Sequence, residues 1–330
     1  MQELDKEIGE KYNLDISGMS SFKETYIISS SKGRKVLKKT ELSPDRIEFV
    51  HGAKEHLYNN GFVHLDRYLC TEEGKPYIEI NGDHYVVSDF IEGRECNFAS
   101  REDVVKASRA LAQLHKASKG FISPVPLKMR DDLGKLPSYF GKRLEEIKKL
   151  KKVAKKGKSK FDYMFLQYVD YFYNLGEKTI QQLAVSEYVQ LCEQTRKDGI
   201  LCHHDYTHSN ILCAEKGITV VNFEFCCFEL RVYDIANLLR RKMRKCDWDP
   251  REAEVILREY QSVEKLTEVE LQIMKLILQF PQKFWRVANK FYNSKRSWSE
   301  KSYAAKLQEV VDELEPHKRF LEKYDQIVDS

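Results

Sequence analysis

Leu201-Cys202-His203-His204-Asp205-Tyr206-Thr207-His208-Ser209-Asn210-Ile211-Leu212 runs through a Glu215-Lys216-Gly217 turn into Ile218-Thr219-Val220-Val221 and then Asn222-Phe223-Glu224. Its skeleton is His-x-Asp-x-x-x-x-Asn entering a strand, a short hairpin, and a polar segment beyond. Phosphoryl transfer calls for this order. An Asp on a loop accepts or orients the proton of an attacking hydroxyl. An Asn shortly after it ligates Mg2+ at the nucleotide phosphates, and a carboxylate past the hairpin holds the metal from another side. A short hairpin brings the second and third groups together.

Outward from this stretch, the two ends of the chain follow different patterns. The first ninety residues read as strands around one helix. Thr25–Ile28 and Lys35–Lys38 flank a Ser30-Ser31-Lys32-Gly33 turn signal, and Tyr77–Ile80 and Tyr85–Val87 flank Asn81-Gly82, a strong hairpin signal. Between them a helix is predicted to start with Ser43 as cap and Pro44 in the first position, and to stop at Asn59-Asn60-Gly61. Beyond Gly93 helical spacing takes over: Val104, Ala107, Leu111 and Leu114 share one face. Helices are also predicted over 162–183, 186–198, 251–262, 267–291 and 301–323. The lysine-dense stretch 142–160 reads as a solvated helix face or linker, with a docking strip for an acidic or phosphate-bearing ligand as the alternative.

Composition narrows the class. The 330 residues are 42% hydrophobic and 32% charged, yet 55 basic residues against 51 acidic ones leave a formal charge of only +4. A dedicated nucleic-acid binder is more lopsided. No stretch is apolar enough for a membrane span, and the acidic N-terminus does not read as a secretory signal. The eight cysteines have no framework spacing and read as reduced thiols. Cys202, His203, His204 and His208 crowd together as soft-metal ligands could, but the phosphoryl-transfer reading accounts for them more economically.

HHDYTHSNIL followed by VVNFEF resembles the catalytic and metal-binding segments of the aminoglycoside phosphotransferase and choline kinase superfamily. More closely, KVLKKT, EHLYNNGF, VVSDFIEGRE, LAQLHKASKGF, FELRVYDIANLLRR and QFPQKFW resemble the spore coat protein CotS family, over most of the chain. The resemblance implies an α+β, protein-kinase-like bilobal fold. A small antiparallel-sheet N-lobe with one main helix (1–88) would join through a hinge (89–93) to a larger, mostly helical C-lobe (94–330). It implies ATP or another nucleoside triphosphate with Mg2+, a hydroxyl-bearing acceptor, other coat proteins as partners, no membrane, and synthesis in the cytoplasm before residence in the spore coat. By motif, Asp205 would be the catalytic base and Asn210 a metal ligand. Lys38, or its neighbour Lys39 on the opposite face, would meet the phosphates, paired to Glu48 or Glu55. The backbone of Asp89 and Ile91 would meet an adenine edge, and Asp234 would brace the catalytic loop.

Two departures from the family pattern matter. Asn222 stands where a metal-binding Asp is expected, so a charge is missing from the metal site, although Glu224 points the same way in an extended segment and stays a candidate ligand. No glycine-rich phosphate loop is present; Gly18–Phe22 takes its place. Two functions therefore remain open: a phosphotransferase attenuated by Asn222, and a catalytically inactive kinase-fold scaffold in coat assembly.

Overall fold

The computed structural model describes residues 2–22, 25–125, 130–293 and 299–328, with side chains from residue 4 onward. The chain forms two compact units, Met1–Asp131 with Asp198–Glu229, and Asp132–Lys197 with Leu230–Ser330. Within the first unit, helix 101–118 packs on helix 44–59 and on the strands at 201–202 and 217–220, and residues 64 and 65 pair with Val220 (Val220 N–H to His64 C=O, 3.0 Å, and a parallel bridge from Leu65).

In the first unit, α1 (Gln2–Tyr12) leads to β1 (Ile16–Phe22), β2 (Thr25–Ser30), β3 (Gly33–Thr40), α2 (Pro44–Asn59), β4 (Ile78–Ile80) and β5 (Asp83–Asp89). The strands form one antiparallel sheet in the order β1-β2-β3-β5-β4. Asn81 and Gly82 both adopt positive φ (54° and 81°), the conformation a two-residue hairpin turn requires. That turn sets Ile80 opposite Asp83. Ser43 precedes α2 with extended backbone, but its side chain makes no capping hydrogen bond; Pro44 alone marks the start.

Helix α1 was not predicted. Its apolar stripe is narrow, but Ile8 and Tyr12 are buried with Leu14, Ile28, Leu37, Ile78 and Val87 against the sheet. The strand β6 (Arg94–Glu95) and helix α3 (Arg101–Ser118) follow, then β7 (Leu201–Cys202), β8 (Ile211–Ala214), β9 (Gly217–Val220) and β10 (Cys227–Phe228). The predicted hairpin is β8–β9, with Ile211 opposite Val220; β6 adds to it and β7 pairs with β10.

The second unit is helical: α4 (Leu136–Ala154), α5 (Lys160–Ala184), α6 (Tyr188–Asp198), α7 (Val232–Met243), α8 (Pro250–Gln261), α9 (Glu268–Gln279), α10 (Gln282–Asn293), α11 (Glu300–Asp312) and α12 (Leu314–Val328). The lysine-rich stretch lies largely on α4, which buries Phe140, Leu144, Ile147 and Leu150 and exposes Lys142, Lys148, Lys149 and Lys152. Two predicted helices are each broken in two. At 280–281 Phe280 turns extended before Pro281, and at 312–314 Pro316 has no N–H to give to the Asp312 carbonyl.

One carboxylate ties β6 to α3. Asp103, buried in the first turn of α3, accepts both Arg94 Nη1 (2.6 Å) and Nη2 (2.8 Å) and the Asn97 backbone N–H (2.8 Å). The Arg94 hydrogen bonds outweigh burial and hold its carboxyl down at about 2. A depressed carboxyl stabilises the fold above its unfolded value and stops doing so as pH falls towards its folded value. Asp103→Asn should therefore lower unfolding free energy by about 1–3 kcal/mol at pH 7. In urea titrations the gap between variant and parent should close as pH falls from about 4 to about 2. A gap independent of pH would show that the ion pair contributes nothing.

Candidate functional site

The loop after β7 is held from inside. His203 is fully buried; its Nε2–H donates to Val221 C=O at 3.0 Å and its Nδ1 accepts the Asp205 backbone N–H at 3.3 Å. This is a packing and hydrogen-bonding role. His204 sits at φ 66°, and Arg130 donates to its Nδ1 at 3.0 Å. Asn210, also buried, donates from Nδ2 to Asp205 Oδ2 (2.8 Å) and to the Asp205 carbonyl (2.9 Å), and its own carbonyl accepts Val221 N–H. Asp205 Oδ1 has no partner among the described residues.

Past the hairpin, Asn222 takes the left-handed conformation (φ 65°, ψ 62°), which Asn tolerates better than most residues. Its backbone N–H donates to Asp66 Oδ2 at 3.0 Å. Its Oδ1 accepts Lys38 Nζ at 3.0 Å, and its Nδ2 approaches Asn210 Oδ1 at 3.4 Å. Lys38 Nζ also lies 2.8 Å from Glu224 Oε1. Asp205, Asn210, Asn222, Lys38 and Glu224 thus form one continuous line of polar contacts, although strand, loop and hairpin contribute them from distant parts of the chain.

Of the two lysines left open by the sequence, Lys38 faces this line; Lys39 is exposed and pairs with Asp83 at 2.6 Å. The predicted acidic partner on α2 is corrected. Glu48 is exposed, and Glu55 is taken by Arg67 (Nε to Oε1, 2.8 Å). The partner comes from beyond the hairpin instead, as Glu224, because α2 turns two cations inward. Arg46 donates to the Glu224 carbonyl at 2.7 Å and also to that of Cys226. Lys54, completely buried, donates to the Asp66 carbonyl at 2.7 Å and lies 3.1 Å from Asp66 Oδ1 and 3.7 Å from the centre of the Tyr68 ring. Burial pushes the Lys54 ammonium pKa down, and Asp66 opposes the shift. Sequence reasoning missed Lys54, Asp66 and Arg46; only an inward-facing lysine among Ile47, Val50, Ala53 and Leu57 could have signalled them.

A cleft of about 430 Å3 opens beside this line, within the first unit. Ile27, Val36, Val86 and Leu212 make it apolar, and Lys38, Asn222 and Glu224 make one end polar. Asp89 and Ile91 both line it. The Ile91 backbone has no hydrogen-bond partner among the described residues, while the Asp89 carboxylate is engaged by Lys35. Phe22, half exposed at the end of β1, borders the cleft where the family pattern has a glycine loop; Gly18 has open space around it, so no close approach requires a glycine there. Asp234 is buried in α7 of the second unit. The soft-metal alternative is not built: among the described residues no metal-ligating group joins two of Cys202, His203, His204 and His208, and Cys202 donates to Glu229 C=O. All eight cysteines are free.

The donors around Asn222 suit a hard cation. Asn210 Oδ1, Asn222 Oδ1 and the Glu224 carboxylate are oxygen ligands of the kind Mg2+ takes, with one formal charge among them. No helix among the described residues is long and apolar enough to cross a membrane.

Comparison with known proteins bears on the fold and the family. The chain is 26% identical over 306 residues to spore coat protein S of Bacillus subtilis (strain 168), covering 92% of this chain and 87% of that protein. Its fold matches the crystal structure of an aminoglycoside phosphotransferase from Alicyclobacillus acidocaldarius with TM-score 0.86 and 24% identity, over 97% of this chain and 94% of the other. An amicoumacin kinase solved with AMP-PNP and Ca2+ matches with TM-score 0.62 and 17% identity, over 96% and 94% of the two chains. A spectinomycin phosphotransferase solved with ADP matches with TM-score 0.58 and 16% identity, over 100% and 97%. The fold is therefore that of the kinase-like small-molecule phosphotransferases. Residues 5–324 match the family model described as "Spore coat putative kinase YutH", and the chain belongs to that family.

Proposed function

We propose that this chain is a kinase-like protein of the spore coat that binds Mg·ATP, or another nucleoside triphosphate, and transfers its terminal phosphoryl group to a hydroxyl of a small molecule or coat component. The observation that carries this reading is the unbroken polar line from Asp205 through Asn210, Asn222 and Lys38 to Glu224 at one end of an apolar cleft. Location in the coat rests on the family and on the Bacillus relative. Nucleotide use is supported by the AMP-PNP and ADP held by the two kinases of like fold.

Each residue has a role in this reading. Ile27, Val36 and Leu212 supply apolar walls for a base, and the backbone of Asp89 and Ile91 supplies its polar edge. Lys38 meets the phosphates. Asp205 accepts the acceptor's hydroxyl proton on Oδ1, while Asn210 holds Oδ2 and so fixes the carboxylate's orientation. Asn210, Asn222 and Glu224 would hold Mg2+, which offsets phosphate charge when bound. With an amide at 222 the metal site is short of one carboxylate. A deficit of about 2–4 kcal/mol at the transition state slows transfer by about 30- to 1000-fold. The second reading, an inactive scaffold, draws on that same amide and on Lys38 already being held by Glu224 at 2.8 Å.

Thermal unfolding separates the two readings. A ligand that binds only the folded state raises its melting temperature. Millimolar Mg·ATP should shift the transition upward, and an unmoved transition selects the scaffold. Asn222→Asp restores the missing charge in a conformation Asp also tolerates. It should increase ATP hydrolysis or transfer by about 30-fold or more; an unchanged rate would place residue 222 away from the metal. Asp205→Asn should reduce transfer by about 100- to 10,000-fold while leaving the nucleotide-induced thermal shift in place. Loss of both together would mean that Asp205 acts in folding or binding and not as the base.

A further inference from the structure

The second unit contains a small cavity of about 50 Å3 that no part of the cleft residues shares. A water needs roughly 10–15 Å3 on this measure, so there is space for about three to five atoms of a compact group. Its walls are mostly apolar, with Phe172, Leu278 and Phe280 among them, but the side chains of Arg240 and Arg244 from α7 also enter it.

These side chains are poorly satisfied. Arg240 is buried, and its guanidinium donates only from Nη2, to the Ile277 carbonyl; its other N–H groups have no partner among the described residues. Arg244 Nε lies 3.3 Å from Glu313 Oε2 but is not aligned with it as a hydrogen bond, and remains a buried donor without an acceptor. Trp248 Nε1 is a second such donor, and the Gln282 amide oxygen is unpaired. A rotation of the Gln282 amide would turn its NH2 to the same side. Three unpaired buried polar atoms around one cavity, Arg244 Nε, Trp248 Nε1 and Gln282 Oε1, are unusual, because each costs about 1–3 kcal/mol when it gives up water without a partner.

Charge points the same way. Arg143 stacks over Trp285 at 4.8 Å and over Tyr139 at 6.0 Å, with no hydrogen bond of its own among the described residues. Arg286 stands near enough to repel Arg143, Arg240 and Arg244 alike. Burial first, and then this mutual repulsion, bring the Arg240 guanidinium down to about 9. The carboxylate at the cavity, Glu313, is shared with Lys283 at 2.7 Å, and Glu146 accepts Trp285 Nε1. His317, whose Nε2–H donates to Leu278 C=O, is held neutral at physiological pH by burial, with Arg240 and Arg244 adding to the effect. Cations thus outnumber anions in a partly buried setting, where Coulomb forces are stronger than in water.

We propose that Arg240, Arg244, Trp248 and Gln282, assisted by Arg143 and Arg286, form a binding site for a tetrahedral oxyanion, either free phosphate or a phosphoryl group carried by a larger molecule. Guanidinium forks match phosphate oxygens in pairs, and an indole N–H adds a further donor. An anion there supplies acceptors to the unpaired donors and relieves the repulsion among the arginines. The small, partly enclosed cavity favours a compact oxyanion over an acidic peptide.

The test is thermal unfolding of the full chain titrated with sodium phosphate, against sodium chloride at matched ionic strength. Phosphate at ten times its dissociation constant should raise the melting temperature by on the order of 2–4 °C, with no such rise in chloride. The response should persist in Lys38→Met, which disables phosphate binding in the cleft. It should weaken at least tenfold in Arg244→Gln and in Arg286→Ala, the latter a change at an exposed side chain that the fold can absorb. O-phosphoserine run in parallel identifies the source: equal affinity assigns free phosphate, and tighter binding assigns an attached phosphoryl group. The proposal is overturned if chloride matches phosphate, if the response vanishes in Lys38→Met but survives both arginine changes, or if an oligoglutamate peptide shifts the transition where phosphate does not.

Discussion

The polar end of the cleft hangs on a buried ion pair. Lys54 has lost all contact with water, and an isolated ammonium there would be prohibitively unstable. Asp66 and the face of Tyr68 make the burial tolerable. Asp66 then uses its other oxygen to take the backbone N–H of Asn222, holding that residue in the left-handed conformation. From this point the remaining geometry follows. The Asn222 amide reaches Lys38 on one side and Asn210 on the other, and Asn210 orients Asp205. One helix therefore holds the segment beyond the hairpin twice, through Lys54 and Asp66 at its start and through Arg46 at the carbonyls of Glu224 and Cys226.

This arrangement reverses the charges expected of the helix. A lysine on the sheet would ordinarily look to a helix carboxylate; here the helix presents cations, and Lys38 finds its carboxylate on the segment that follows the hairpin. Glu224 is consequently both the counter-ion of Lys38 and a candidate metal ligand. Any cation brought to Asn222 must share Glu224 with Lys38, or free Lys38 to meet phosphate. The missing charge at residue 222 and the engaged carboxylate at 224 are two aspects of one electrostatic balance.

The near-neutral total of +4 conceals how unevenly charge is distributed. Around Asn222 cations and anions are matched nearly one to one. In the second unit arginines gather around a small cavity with too few carboxylates to neutralise them. The exposed lysines of α4, by contrast, are partly answered by neighbours such as Glu145 and Asp170 and are otherwise solvated. A lysine-dense run in sequence is thus less informative than a few arginines that meet from separate helices.

Much of the molecule was legible in one dimension. The Asn81-Gly82 turn, the β8–β9 hairpin and the spacing of Asp205 and Asn210 are local, so each is set by neighbours a few residues away. Helix α1 was hidden because its narrow stripe has meaning only against the sheet that covers it, and the long predicted helices are broken at Pro281 and Pro316, where a backbone N–H is missing from the helical ladder. The sequence alone determined which chemical groups exist and how the short loop and hairpin space them. Tertiary structure decided their partners: Lys38 with Glu224 and not Glu48, Lys54 with Asp66, the arginines with one another. Ion pairing falls off over a few ångströms, and only the folded chain brings residues far apart in sequence within that reach.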